Sequence, residues 1–210
     1  MQFIKAGASL LMYAPGSFWG AGRFGNAIAH GEYRNRTRNK KWDMLLYGEF
    51  FFLGRDLGNY SVQASLKRSL GEKIGYLELG FENINRTPSD IYTKNLSFPV
   101  DTKLDLGDEN VTSINGSIYF SKIKTRLSLN YFLISNYTYF SGYRTAAQYA
   151  PLFNFIRAGI NKETSLGRKW KWYLDFYVQT VAGNAPIHLP LVYTRSRIAY
   201  EAKPFRNLIV

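Results

Sequence analysis

A glycine-rich segment at residues 20–25 has the spacing of a cofactor-binding motif. It reads Gly-Ala-Gly-Arg-Phe-Gly and matches the pattern whose backbone amides hold the pyrophosphate of a dinucleotide. That chemistry requires a helix directly after the glycines, whereas residues 26–34 alternate between apolar and polar types as a β-strand does. We therefore interpret the glycines as part of a loop between strands, and no cofactor is predicted.

Two histidines and an acidic segment are the other residues that could do chemistry. His30 and His188 lie far apart in the sequence, and neither has a serine and a carboxylate at a spacing that defines a catalytic triad. The carboxylates of residues 101–109 lack the ligand spacing of a known calcium loop. Cysteine is absent, which excludes thiolate catalysis and cysteine-bound zinc. The sequence predicts neither an enzyme nor a metal site.

Composition favours a membrane protein that crosses with strands. No run reaches the 18 apolar residues that a transmembrane helix needs. The chain nevertheless has 16 Tyr, 15 Phe and 4 Trp, and such residues collect at membrane interfaces. Its mean hydropathy is slightly negative. A transmembrane barrel has this average because half of each strand faces lipid and half faces a polar lumen.

Strict two-residue alternation is clearest at residues 169–180. There Trp170, Trp172 and Leu174 alternate with Lys171, Tyr173 and Asp175, which is the period of a strand. By the same rule we predict ten strands and the start of an eleventh near Asn207. The ten lie at residues 2–12, 26–34, 41–53, 60–69, 74–86, 111–121, 125–139, 152–162, 169–181 and 191–202. Several have about ten residues or more, which suits a tilted bilayer crossing.

The predicted connections alternate between short and long, which is typical of an up-and-down meander with short periplasmic turns and longer outer loops. The short ones are residues 36–40, 70–73, 122–124, 165–168 and 203–206. The longer ones are residues 13–25, 54–59, 88–110, 141–151 and 183–190. The sequence therefore predicts an all-β fold, an antiparallel up-and-down transmembrane β-barrel formed by residues 1–210 as a single domain. Ten to eleven strands with a truncated last one indicate an incomplete portion of a larger barrel.

Two sets of residues follow from this topology. Aromatic residues on the apolar face near the short turns are expected to form a membrane-interface girdle, and they are Trp42, Phe120, Trp170 and Tyr200. Charged residues on the opposite face are expected to line a pore. They are Glu32, Arg34, Asp43, Glu49, Lys67, Glu78, Glu82, Arg157, Lys171, Asp175, Arg195 and Arg197.

The net charge of +12 could indicate a nucleic-acid-binding surface, because a basic face is the footprint of phosphate binding. The distribution of the charged residues along the chain argues against a nucleic-acid-binding surface. Cations cluster at the predicted short turns, while the predicted lumen carries six cations and six carboxylates. We expect no nucleic-acid partner and no simple anion selectivity.

Residues 187–210 resemble the putative porin family of Bacteroidota. The shared features are the Leu-Pro pair at 189–190, a strand in which Arg195 and Arg197 alternate with apolar residues, a tight turn with Phe205, and a new strand that begins with aliphatics. Residues 42–48 and 169–175 are similar to earlier strands of that family. In the family the chain continues past the strand that begins here at Leu208, so the resemblance implies a partial chain.

The resemblance implies a channel in the bacterial outer membrane, and we expect passive diffusion of small hydrophilic solutes. The expected partners are outer-membrane lipid and lipopolysaccharide, those solutes, and envelope proteins or further copies of the chain. Two alternatives stay open. One is a non-conducting barrel subunit or scaffold of a larger envelope complex. The other is a soluble carbohydrate-binding β-sandwich that would use the aromatics of residues 137–149.

Overall fold

The computed structural model describes residues 2–13, 24–92 and 105–201. These residues form twelve β-strands and one 3-10 turn, Asp90–Tyr92. The strands are β1 Gln2–Tyr13, β2 Phe24–Arg36, β3 Trp42–Gly54, β4 Tyr60–Gly71, β5 Gly75–Arg86, β6 Glu109–Phe120, β7 Thr125–Ser135, β8 Tyr137–Phe140, β9 Ala146–Tyr149, β10 Phe153–Ser165, β11 Trp170–Ala182 and β12 Val192–Tyr200. Within the described ranges, no helix has the length and apolarity to cross a membrane.

Ten of the strands form one antiparallel sheet in the order β1-β2-β3-β4-β5-β6-β7-β10-β11-β12, and β8 and β9 pair only with each other. Apart from β8 and β9, every strand is hydrogen-bonded to the next strand of the ten-stranded sheet along the chain. The predicted all-β, antiparallel up-and-down fold is confirmed. No pairing joins β1 to β12 in the described part of the chain, so the sheet is open, as expected of an incomplete barrel.

The ten predicted strands are all found, and their boundaries agree closely with the prediction except at the end of the seventh. Nine of the ten have 11 to 13 residues. β12 has 9. A tilted strand needs about 9–11 residues to cross a bilayer, so all ten are long enough. The eleventh strand predicted near Asn207 lies outside the described residues.

The strand predicted at 125–139 is wrong at its end. β7 stops at Ser135 because Asn136 has a φ of 55°, in the left-handed region that asparagine tolerates better than most residues. The Asn136 side chain holds this break by donating from Nδ2 to the carbonyl oxygen of Asp108 at 2.9 Å. Beyond it, β8 pairs with β9, so the predicted loop 141–151 contains half of a small hairpin.

Four of the five predicted short connections are tight turns, and the fifth, residues 203–206, lies outside the described residues. One of them requires glycine. Gly75 has a φ of 119°, and a Cβ there would lie 1.8 Å from the carbonyl oxygen of Tyr119 on the neighbouring strand. Only a residue without a side chain allows β5 to pair with β6 directly after the β4/β5 turn.

Apolar side chains are mainly on the outside of this sheet. Among the described residues only two hydrophobic side chains are buried, Ala146 and Phe153. Many large ones are exposed, such as Ile114 at 52% and Leu129 at 56%. A water-soluble protein rarely exposes so extensive an apolar surface. An exposed apolar surface of this kind is typical of strands that face lipid.

Candidate functional site

The strand register places all twelve predicted pore-lining residues on the same face of the sheet, which we call the polar face. On β3, β4 and β5, for example, Asp43 is opposite Lys67 and Lys67 is opposite Glu78. On β11 and β12, Asp175 is opposite Arg195. The other side, which we call the apolar face, carries Leu46, Val62, Leu79, Ile114, Leu129 and Ile160. That the polar face lines a pore stays a prediction.

Ion pairs between neighbouring strands hold several of these charges in place. Arg34 donates to both carboxylate oxygens of Asp43, from Nε at 3.0 Å and from Nη2 at 2.7 Å. Arg195 Nε lies 3.3 Å from Asp175 Oδ2. Both arginines keep about half of their side-chain surface accessible. Such half-exposed pairs contribute little to stability, but they fix the positions of charges that face water.

Lysines at the short-turn end of β10 to β12 are also matched by carboxylates. Lys124 Nζ lies 2.6 Å from Glu163 Oε1. Lys171 Nζ lies 2.7 Å from Glu201 Oε2 and 3.8 Å from Glu163 Oε1. Charges in this corner of the polar face are therefore locally balanced, and Glu163 joins the predicted residues there.

Tyrosine side chains contact three other predicted pore-lining residues. These tyrosines were not among the predicted site residues. Lys67 Nζ lies 3.8 Å from the centre of the Tyr76 ring, and the Arg197 guanidinium carbon lies 4.7 Å from that of Tyr173. A cation over an aromatic ring is attracted by its negative face. Tyr47 donates from its hydroxyl to Glu49 at 2.9 Å. The two-residue alternation could have identified these tyrosines, because it places them on the same side of their strands as the charged residues.

Of the other predicted charges, Arg157 and Glu82 contact neutral groups, and Glu32 pairs with a lysine. Arg157 lies over the Tyr177 ring at 5.6 Å, and Glu82 accepts from the Ser113 hydroxyl at 3.4 Å. Lys5 Nζ lies 3.6 Å from Glu32. The polar face thus carries charged or hydrogen-bonded side chains on strands from β1 to β12.

The β8–β9 hairpin lies at the end of the sheet opposite the short turns. Hydrogen bonds attach it to residues at the start of β6 on the polar face. Glu109, only 6% exposed, accepts from the backbone N–H of Thr138 at 2.8 Å and pairs with Arg86 at 3.1 Å. Gln148 accepts from the N–H of Gly107 at 2.9 Å and donates to its carbonyl oxygen at 2.6 Å. The register assigns Glu109 to the polar face, so the hairpin lies at the mouth of that face.

Aromatic packing completes this attachment. The Phe153 ring is 3% exposed and lies 5.9 Å from the rings of both Tyr137 and Tyr149. Tyr92 packs against Phe140 at 4.8 Å. Burial raises the pKa of Tyr92, and the nearby Tyr137 and Glu109 act in the same direction.

The four residues predicted as interface aromatics all lie on the apolar face at the short-turn end. Trp42 and Trp170 are the first residues of β3 and β11, and Phe120 and Tyr200 are the last of β6 and β12. Trp170 faces Tyr200 with ring centres 4.9 Å apart. Cations lie over two of these rings, Arg68 over Trp42 and Lys169 over Tyr200. Their role at a membrane interface stays a prediction.

The other chemistry-bearing residues do not assemble into a site. The glycine motif enters β2 at Phe24 and Gly25, and its residues 20–23 lie outside the described ranges. His30 faces Gly7 across β1 and β2, while His188 is exposed between β11 and β12. Among the residues whose structure is described, no group of three His, Asp or Glu side chains could hold a metal ion.

Comparison with known proteins agrees with this arrangement. The model of the family described as "Putative porin" matches residues 23–210, which is most of the chain. No curated protein and no solved structure matches it. Long antiparallel strands with one apolar and one polar face are the architecture of membrane barrels. The chain therefore belongs to the putative porin family, and its general role is porin-like.

Proposed function

We propose that this chain forms the wall of a bacterial outer-membrane channel through which small hydrophilic solutes diffuse passively. The observation that carries the proposal is the opposite character of the two faces, which recurs along most of the ten-stranded sheet. Leu129, half-exposed and apolar, is adjacent in sequence to Ser128 and Asn130, which face the polar side. A wall with lipid on one side and water on the other requires this alternation.

The charges of the polar face suit a water-filled passage more than a dry interior. They remain partly exposed even when paired, with Lys171 at 31% and Arg195 at 59% of side-chain surface. Charges buried in a dry interior would need full compensation. We infer that the polar face contacts water along the length of the strands.

The β-sandwich alternative has less support. A sandwich buries one face of each sheet against another sheet, about 10 Å away. In the described part of the chain the two buried hydrophobic residues are Ala146 of the β8–β9 hairpin and Phe153, which begins β10 and packs against that hairpin. Neither face of the ten-stranded sheet is therefore covered by a second sheet along its length. The scaffold alternative keeps the same wall and differs only in conduction.

Conductance in planar lipid bilayers tests the proposal. The purified protein, with the complete barrel of which this sheet is part of the wall, should produce discrete, stable current steps in salt solution, and the Leu129→Arg variant should produce far fewer because less of it inserts. If the wild-type protein enters vesicles and shows heat-modifiable migration but no current, the passive channel is contradicted and the scaffold alternative is favoured.

A further inference from the structure

A cleft of about 420 Å³ opens at the short-turn end of the polar face, between the β2/β3 and β4/β5 turns. Five cations line it together with only two carboxylates, a formal excess of three positive charges. The cations are Arg34, Arg36, Lys40, Lys41 and Lys67, and the carboxylates are Asp43 and Glu72. This local excess does not appear when charges are summed over the whole polar face, because the predicted pore-lining residues include six cations and six carboxylates.

In the described part of the chain, the carboxylates of the cleft form no ion pair with its lysines. Both oxygens of Asp43 accept from Arg34, at 3.0 and 2.7 Å. Lys67 lies over the Tyr76 ring and forms no ion pair in the described residues. Within the same described ranges, Lys40 and Lys41 form none either. Lys40 and Lys41 are therefore available to an anion, in contrast to Lys124 and Lys171, which already contact glutamates. Lys67 adds a positive charge beside them, held over the Tyr76 ring.

The backbone that carries the lysines is held in one conformation. Lys40, with a φ of 56°, donates its N–H to the carbonyl oxygen of Thr37 at 2.9 Å. Lys41 donates its N–H to the Asn39 side chain at 3.0 Å, and its carbonyl oxygen accepts from Ser69 at 2.7 Å. The last bond joins the two turns that border the cleft. A preorganised turn lowers the entropic cost of binding.

We propose that this cleft binds a small phosphate-bearing solute. Compact ammonium groups that lack a carboxylate partner suit phosphate oxygens, and the cleft volume lies in the range of small-molecule sites. Arg34, Asp43 and Lys67 belong to the polar face, away from the lipid side, so the occupant is a dissolved molecule and not a lipid headgroup. The inference rests on the proposed function, because it takes the polar face as the path of the solute.

Calorimetric titration of the detergent-solubilised protein with inorganic phosphate and pyrophosphate, at constant ionic strength, tests this site. Wild-type protein should bind pyrophosphate saturably and more tightly than phosphate. Lys40→Gln/Lys41→Gln should weaken pyrophosphate binding about tenfold, since charge-assisted bonds are lost. The matched control Lys122→Gln/Arg168→Gln removes the same charge from other short turns and should leave the affinity unchanged.

The possible outcomes separate the competing explanations. Absence of saturable binding, or equal weakening in both variants, would overturn the site, because only general charge attraction would then remain. A second arm measures association with phosphatidylglycerol and phosphatidylcholine vesicles. If the cleft variant loses only its preference for the anionic vesicles and keeps pyrophosphate affinity, a lipid headgroup is the occupant and the proposal is wrong.

The assay is independent of conduction. Current steps without pyrophosphate binding would overturn this inference and leave the proposed channel intact. Selective binding without current would support the site and contradict the passive channel.

Discussion

The two faces of the ten-stranded sheet differ in what their side chains contact. On the polar face, Ser128 donates to the carbonyl oxygen of Gly159 at 3.5 Å, and Asn161 donates to Asp175 at 2.8 Å. On the apolar face, Leu129 and Ile160 expose large parts of their surface. Each large aliphatic side chain that leaves water gains about 1.5–3 kcal/mol. We therefore expect the fold to be more stable where a non-aqueous medium covers the apolar face.

The largest expected effect comes from a charge on the apolar face. Leu129→Arg places a cation near the middle of β7, where it should cost about 2–4 kcal/mol in lipid. Ser117→Arg is the matched control on the polar face of β6, because Ser117 is next to Gly116, which faces Leu129, and is itself opposite Glu78. We expect membrane yield and heat-modifiable migration to fall for Leu129→Arg alone. Equal tolerance of the two changes would remove the lipid-facing assignment.

A smaller effect is expected where the hairpin meets the polar face. Glu109→Ala leaves the Thr138 N–H without its acceptor and Arg86 without its carboxylate, which should cost about 1–3 kcal/mol locally. Trypsin should then cleave after Arg144 several-fold faster. Asp108→Ala is the control, because the Asp108 carboxylate contacts Asn85 and not the hairpin. Unchanged cleavage in Glu109→Ala would show that Glu109 does not hold the hairpin.

The smallest effect concerns the interface aromatics. Trp170→Ala should lose about 1 kcal/mol more stability in lipid vesicles than in detergent, because an indole at the headgroup level is favoured by the interface. Tyr193→Ala is the control, since Tyr193 stacks on Tyr177 at 6.1 Å on the polar face of the same two strands. Urea unfolding followed by fluorescence gives both values. A medium-independent loss for Trp170→Ala would contradict the girdle.

The sequence was sufficient to predict the strands and their faces because successive side chains of a strand point to opposite faces of its sheet, so two-residue alternation identifies both. It could not predict the β8–β9 hairpin, since the alternating pattern runs through Asn136 and only the backbone reversal there ends the strand. The basic cleft was also missed. It depends on Lys41 and Ser69, distant in sequence, being joined by the pairing of β3 with β4. The net charge of the whole polar face is balanced, so it gives no indication of a local group of cations.

The most direct test measures the medium that each face meets. The chain has no cysteine, so Leu129→Cys and Ser117→Cys each introduce a single thiol. In sealed lipid vesicles, a charged, water-soluble thiol reagent should modify Cys at position 117 and leave position 129 unmodified. A lipid-soluble maleimide should reach position 129. Rapid modification of position 129 by the charged reagent, or protection of position 117 from it, would contradict the account of one face in lipid and the other in water.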